Sequence, residues 1–202
     1  QPQAAAVLLA KPTPRWVFLL GKFLGVTLFV GVQTLLFFTA TWLALGLRTQ
    51  YWSAGYLAAA PLLVLQFAGL FAFSVFLGVC TRSPIASVLG VVLFWAICLG
   101  INYGRHSAVG MAQIDPRAAL SPATGFSLGV CYWPFPNPAD MLVLLEDCLR
   151  AGQPQATLSS LHEFQAVRAA GSLDPTLTLL STGLFIAAML WLAGRQLQST
   201  DY

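Results

Sequence analysis

The sequence predicts an all-α, polytopic integral membrane protein with four transmembrane helices and two short amphipathic helices in a long loop. Hydrophobic residues make up 57% of the chain and charged residues only 8%, and the mean hydropathy is +0.75. A soluble domain carries about 25% charged residues to keep its surface wet. Four apolar runs also reach the roughly 20 residues that a helix needs to cross a hydrocarbon core about 30 Å thick. These runs are predicted to be helices because lipid offers no hydrogen-bond partner to an open backbone.

The four predicted spans lack acidic residues, which fits a lipid environment. Polar side chains inside them, such as Gln33, Gln66 and Asn102, are expected to form hydrogen bonds between helices. The spans are residues 16–47, 55–79, 84–103 and 175–194.

Basic residues next to the span ends predict the orientation of the chain. Lys11, Arg15, Lys22, Arg82 and Arg195 all fall at the same side of the predicted bundle. Positively charged flanks mark the cytoplasmic side, so both ends of this chain are expected in the cytoplasm. Lys22 lies inside the first span and is predicted to anchor it, with its ammonium group reaching the headgroups.

Residues 104–173 form the one long polar interval and are predicted to be an extracytoplasmic loop. They hold both histidines and five of the seven acidic residues, and a sixth, Asp174, follows directly after them. Apolar residues over 141–149 follow helical spacing, and a second short helix is indicated by the capping box of Ser160 and Glu163 and by Gly171 at its end. The two helices would lie flat on the membrane or cap a pathway between subunits. A structural lid over the span ends is favoured over a binding site.

The sequence offers no convincing catalytic, cofactor or metal site. His162-Glu163 is not followed by the second histidine of a zinc-protease helix, and Gly21-Lys22 lacks the remaining residues of a P-loop. No histidine, Asp or Glu lies in a predicted span, which argues against an intramembrane catalytic centre. The net charge of +3 is too small for a nucleic-acid-binding surface.

Two of the four cysteines, Cys131 and Cys148, share the long loop. An oxidising compartment would permit a disulfide between them. A metal site combining these cysteines with His106 or His162 is disfavoured because the spacing matches no known ligand pattern.

The N-terminal segment carries a resemblance to a known family. Residues 8–16 read Leu-Leu-Ala-Lys-Pro-Thr-Pro-Arg-Trp, and residues 19–23 read Leu-Leu-Gly-Lys-Phe. This pattern resembles the ABC-2 type transporter permeases, in the branch related to copper-enzyme maturation permeases. The Pro-x-Pro-Ala-Asp segment around Asn137 and the C-terminal residues 194–202 are similar to the same family.

The resemblance implies a six-span fold, with two further spans before residue 1. It implies that residues 1–11 are the end of a cytoplasmic coupling helix that rests on a separate P-loop ATPase subunit. The chain itself would then hold no cofactor and would not be an enzyme, since ATP is hydrolysed on the partner. It would pair with a second copy or a related permease in the bacterial plasma (inner) membrane and move an unidentified substrate. The residues implied in coupling are Leu8, Leu9, Lys11, Pro12, Pro14, Arg15 and Trp16.

The proline pair in this segment suits such a role physically. Pro12 and Pro14 fix the backbone φ angle, so the connection into the first span is short and stiff. Two alternatives stay open at this point: a membrane scaffold or assembly protein that transports nothing, and an intramembrane enzyme that uses His106 or His162 from the long loop.

Overall fold

The computed structural model describes residues 15–50, 52–114, 121–150, 167 and 174–199. Within these residues the chain forms six α-helices and no strand. In chain order they are α1 (Arg15–Thr49), α2 (Gly55–Thr81), α3 (Pro84–Ile114), α4 (Pro122–Tyr132), α5 (Pro138–Arg150) and α6 (Pro175–Ser199).

Four of the helices begin at a proline that follows a polar residue. Proline suits the first helical position because its missing N–H would have no partner there. The preceding polar side chain can accept a hydrogen bond from the first turn. Ser121 accepts from the backbone N–H of Thr124 at 3.3 Å, and Asp174 accepts from the N–H of Thr176 at 2.9 Å. The four pairs are Ser83-Pro84, Ser121-Pro122, Asn137-Pro138 and Asp174-Pro175.

Helices α1, α2, α3 and α6 are long and apolar enough to cross a membrane, which confirms the predicted four-span architecture. Their apolar stretches are Trp16–Thr49, Gly55–Thr81, Pro84–Met111 and Pro175–Ser199. Three of them enclose the predicted spans and extend them by a few residues. The third differs, because the predicted span ended at Tyr103 whereas α3 continues to Ile114.

Helix α2 occupies the centre of the bundle and packs against α1, α3, α5 and α6. Small side chains on α2 allow close helix approach, as is usual in membrane bundles. Ala68 and Ala72 are buried with Phe23 of α1, whose ring stacks on Phe71 at 5.5 Å. Further along, Ala59 and Ala60 are buried with Phe38.

Helices α4 and α5 are joined by a short turn, residues 133–137, and each packs on the long helices rather than on the other. We call this segment, residues 122–150, the helical hairpin, and its turn lies among the long helices. The ring of Phe135 in this turn lies 5.9 Å from that of Phe94, the eleventh residue of α3. Phe94 in turn stacks on Phe73 of α2 at 4.1 Å and on Phe185 of α6 at 5.4 Å. The hairpin turn therefore reaches the middle portion of the bundle.

The helical hairpin is only partly anticipated by the sequence. Helix α5 occurs where the first short amphipathic helix was expected, and it packs on α2, α3 and α6. Helix α4, which packs on α3, was not anticipated. The second predicted short helix, at 160–171, and the coupling helix, at 1–11, lie outside the described residues, apart from the buried Val167.

Candidate functional site

A buried polar cluster is centred on Asp140, in the first turn of α5. One carboxylate oxygen, Oδ1, lies 2.5 Å from Nε2 of His106 in α3. The other, Oδ2, accepts a hydrogen bond from the Tyr132 hydroxyl at the end of α4 and another from Thr178 Oγ1 in α6, at 3.3 Å. A single carboxylate therefore joins four helices.

Burial makes this contact set energetically important. Asp140 is 2% exposed and His106 is 1% exposed. A buried carboxylate without partners is strongly disfavoured, so its three neighbours are required for it to remain in place. An ionised carboxylate has only acceptor atoms, so with Asp140 ionised the imidazole Nε2 carries a hydrogen in the contact.

The sequence positions each group through a different local feature. Pro138 starts α5, and the backbone N–H of Met141 donates to the carbonyl of Asn137 at 3.0 Å, which closes the first turn around Asp140. The extension of α3 beyond Tyr103 carries His106 on a regular helix. Thr178 lies in the first turn of α6, immediately after the Asp174 cap.

A second pair of polar side chains lies one turn earlier on α3. Asn102 donates through Nδ2 to Oδ1 of Asn137 at 3.1 Å, and its Oδ1 accepts from the backbone N–H of Ala139 at 3.2 Å. Both asparagines are fully buried. The expected interhelical role of Asn102 is confirmed, and these bonds fix the hairpin turn against α3.

Tyr132 connects the cluster to a cation. The guanidinium carbon of Arg105 lies 4.0 Å from the centroid of the Tyr132 ring, within the range of a cation–π contact. Burial, followed by the charge of Asp140 and the hydrogen bond to it, raises the pKa of Tyr132 well above its ordinary value. The phenol therefore stays neutral and acts as a hydrogen-bond donor.

A small cavity of about 130 Å³ adjoins the cluster on the α5–α6 side. Asp140 and Thr178 line it together with two further carboxylates, those of Asp147 and Asp174. Hydrogen bonds from Thr176, its hydroxyl first and then its backbone N–H, lower the pKa of Asp174. The cavity is thus acidic on the side where it meets the buried carboxylate.

The cluster can hold a hydrogen-bonded proton and can connect helices, and it has no arrangement for metal binding. Within the described part of the chain, no group of three or more His, Cys, Asp or Glu is placed to hold a metal ion. The Tyr132 hydroxyl donates to the carboxylate, and the single hydroxyl hydrogen of Thr178 is shared between Asp140 Oδ2 at 3.3 Å and the carbonyl of Asp174 at 3.1 Å. The geometry is that of a polar link between helices.

This cluster was not predicted from the sequence, and the prediction that no histidine lies in a span is wrong for His106. Neither histidine was placed in a span, yet His106 lies within the apolar stretch of α3 that ends at Met111. The available signals were Asp140 next to the Asn137-Pro138 helix start and an imidazole soon after the third apolar run. Neither signal alone indicates a pair, because the two residues are 34 positions apart.

Only two of the residues implied in coupling, Arg15 and Trp16, belong to the part of the chain that the structure describes. Leu8, Leu9, Lys11, Pro12 and Pro14 lie outside the described residues, as does His162. Arg15 is the first residue of α1. The Trp16 side chain packs beside Gly194 of α6, where an added Cβ would lie 3.8 Å from the Trp16 Cβ. Of the described residues in this set, Trp16 lies away from the Asp140 cluster, at the opposite end of α6.

Lys22 is exposed on α1, as an anchor at the membrane surface requires. Its ammonium nitrogen lies 4.5 Å from the centroid of the Phe18 ring, one turn earlier. A cation over an aromatic face gains electrostatic attraction. The side chain is thus directed toward the N-terminal end of α1, where Phe18 lies.

Cys131 and Cys148 are both free thiols in the structure, so the disulfide considered from the sequence is not formed. Cys131 is exposed near the end of α4. Cys148 lies late in α5, against the buried group of Phe38, Ala59 and Ala60. Burial, and then the charge of Asp147, raises the pKa of the Cys148 thiol, which makes it less reactive.

Comparison with known proteins adds no family to this description. No family model, no curated protein and no solved structure matches the chain.

Proposed function

We propose that this chain is the membrane-spanning permease subunit of an ABC-2 type transporter. It moves a substrate across the membrane with ATP hydrolysed by a separate P-loop ATPase subunit. The proposal rests on four apolar helices, on the resemblance of residues 8–23 to that family, and on the arrangement of the helical hairpin.

The observation that carries the proposal is the position of the Asp140 cluster in the bundle. Asp140 binds Thr178 at the start of α6, whereas Trp16, the second residue of α1, lies beside Gly194. Sixteen residues of helix separate Thr178 from Gly194, which is about 24 Å at 1.5 Å per residue. Ionisable groups buried in a membrane bundle are costly and are usually functional.

The hairpin then acts as a closure at one end of the bundle. Side-chain hydrogen bonds from Asn102 hold its turn against α3, and α5 packs on α2, α3 and α6, so opening of the closure would move α5 relative to all three long helices. Force from the ATPase would enter at the opposite end, through the stiff segment containing Pro12 and Pro14. Substrate would pass between this chain and a second copy or a related permease.

The same arrangement supports a proposed orientation of the chain in the bacterial plasma membrane. The basic residues Arg82 and Arg195 lie at the Trp16 end of the bundle, which is the cytoplasmic end by the positive-inside rule. In a chain whose four native cysteines are replaced by serine, a cysteine placed at Thr13 should react with a membrane-impermeant maleimide only after permeabilisation of the cells. A cysteine at Thr124, exposed at the start of α4, should react in intact cells.

The decisive experiment is recovery of the ATPase partner. The tagged chain purified from its native membranes should retain a P-loop ATPase, and replacing residues 11–16 with a Gly/Ser linker should release it. The matched control replaces 49–54, the connection at the other end of the bundle, with the same linker. Retention of the ATPase by the 11–16 variant, or its loss from both variants, contradicts the coupling role and favours the scaffold.

An intramembrane enzyme is the second candidate, because His106 and Asp140 form a buried imidazole–carboxylate pair. Alanine at 106 would disable either kind of protein by leaving Asp140 without its partner. His106→Gln separates them, since an amide can still donate to Asp140 but cannot act as a general base. Transport that survives His106→Gln contradicts the enzyme.

A further inference from the structure

A groove of about 530 Å³ runs between the start of α1 and the end of α6, far from the Asp140 cluster. This volume falls within the roughly 300–1,000 Å³ typical of ligand sites. Its walls are mainly aliphatic and aromatic, and they include Leu19, Leu20 and Leu190. The groove is therefore wide enough and apolar enough for a hydrocarbon chain.

The rim of the groove has a different character from its walls. Trp16 and Trp191 are 45% and 62% exposed there. The guanidinium carbon of Arg195 lies 5.5 Å from the centroid of the Trp191 ring, and among the described side chains Arg195 is the charged one that lines the groove. Tryptophan and arginine at the end of an apolar helix are typical of the membrane–water interface.

The charged residues that the structure describes around this end of the bundle have one sign. Lys22 on α1 and Arg82 after α2 add to Arg195, and none of the described residues at this end is Asp or Glu. An apolar trough that finishes at a guanidinium matches a molecule with a hydrocarbon chain and an anionic head. Arginine suits phosphate because its planar fork can donate two parallel hydrogen bonds.

We propose that this groove binds one anionic phospholipid. An acyl chain lies along Leu19, Leu20 and Leu190, and the phosphate contacts Arg195. The exposed tryptophans flank the glycerol region. This site does not depend on the proposed transport function, since it requires only the groove and its charge.

Quenching by brominated lipids tests the site directly. The full chain is reconstituted in vesicles of phosphatidylcholine that contain increasing fractions of brominated phosphatidylglycerol or, separately, brominated phosphatidylcholine. Tryptophan fluorescence then reports the relative association constant of each lipid. We expect about a fivefold preference for phosphatidylglycerol, because one basic side chain near an anionic surface contributes on that scale.

Substitutions assign the preference to the groove. Arg195→Gln should reduce it to parity, and Arg195→Lys should keep most of it. Arg82→Gln is the matched control, since it removes one positive charge from the same end without touching the groove, and it should keep the preference. The double variant Trp16→Phe and Trp191→Phe keeps Arg195 but removes the two fluorophores at the groove. Its remaining tryptophans should be quenched equally by brominated phosphatidylglycerol and brominated phosphatidylcholine.

Three results would overturn the proposal. One is equal quenching by the two lipids in the wild-type chain, as expected if a protein segment fills the groove. Another is an unchanged preference in Arg195→Gln. The third is an equal loss in Arg82→Gln, which would assign the effect to general surface charge. If Arg195→Gln fails to fold, the double tryptophan variant provides the test. Stronger quenching of that variant by brominated phosphatidylglycerol than by brominated phosphatidylcholine would contradict the site.

Discussion

Nε2 of His106 lies 2.5 Å from Oδ1 of Asp140, and this contact joins the last third of α3 to the first turn of α5. Both side chains are almost fully buried. Separation of the two helices would therefore leave two polar side chains either exposed to solvent or buried without a hydrogen-bond partner. The strength of the hairpin's attachment thus depends on one carboxylate and its donors.

Asp140→Ala should detach the helical hairpin. The substitution leaves His106, Tyr132 and Thr178 without their common acceptor, and removal of one partner from a buried ion pair costs about 3–5 kcal/mol. Thermal unfolding in detergent should show the loss, and amide hydrogen exchange over 138–150 should accelerate. Asp147→Ala is the matched control, an acidic residue two turns later on α5 that makes none of these three contacts, and it should have a much smaller effect. Equal effects of the two substitutions would contradict the central role of Asp140.

Tyr132 should remain neutral at pH values where an ordinary tyrosine ionises. Its folded-state pKa is raised, so its contribution to stability is fully present below the unfolded-state pKa of about 10 and is lost as pH rises through the folded value. Ultraviolet titration of the folded chain at 295 nm should give the same tyrosinate amplitude below about pH 11 for wild type and Tyr132→Phe. A smaller tyrosinate amplitude in Tyr132→Phe than in wild type over this pH range would show that Tyr132 ionises like an ordinary tyrosine, which contradicts the prediction.

Gly46→Ala should disrupt the turn between α1 and α2. An added Cβ would lie 2.7 Å from two carbons of the Trp52 indole, which is fixed by edge-on packing against Trp42 at 4.8 Å. Overpacking of this kind costs about 1–3 kcal/mol. Gly125→Ala on α4 is the control, because its Cβ would meet nothing within 4 Å, and replacing an interior helical glycine by alanine gains about 0.5–1 kcal/mol. Thermal melts of the two variants should shift in opposite directions.

The Asp174 cap should make the start of α6 sensitive to acid. Hydrogen bonds from Thr176 lower the folded-state pKa of Asp174, so its stabilising effect is present above the unfolded-state value of about 3.9 and is lost as pH falls through the lower folded value. Amide exchange at Thr176 and Leu177, corrected for the intrinsic rate, should accelerate between pH 5 and pH 2. Asp174→Ala should show fast exchange at both pH values. A pH dependence that persists in Asp174→Ala would assign the effect to another group.

Sequence reasoning was most successful where hydrophobicity decides the structure. The runs that became α1, α2 and α6 are long and predominantly apolar and lack acidic residues, and α2 and α6 start at a glycine and a proline. A backbone in lipid can satisfy its polar groups only within the helix itself, so local composition is enough to predict such an element. The helical spacing of apolar residues also predicted α5, because this pattern lies within one continuous segment.

The end of α3 shows where that reasoning fails. Apolar character stops near Gly104-Arg105-His106, so the sequence indicated a loop, but the helix continues to Ile114 because these polar side chains find partners on other elements. Helix stability in proteins depends more on packing than on composition. The same reason explains why α4 was missed, since its local sequence is short and its end is defined by contacts of Tyr132 with Arg105 and Asp140.

The membrane-protein character, the four long helices and the positions of most helix starts were determined by the sequence itself, because each depends on the composition of a continuous segment. The insertion of the hairpin turn beside Phe94 and the meeting of His106, Tyr132, Asp140 and Thr178 were decided only by the tertiary structure. Those four residues come from four helices. Their proximity depends on how the helices pack, which no local pattern in the chain encodes.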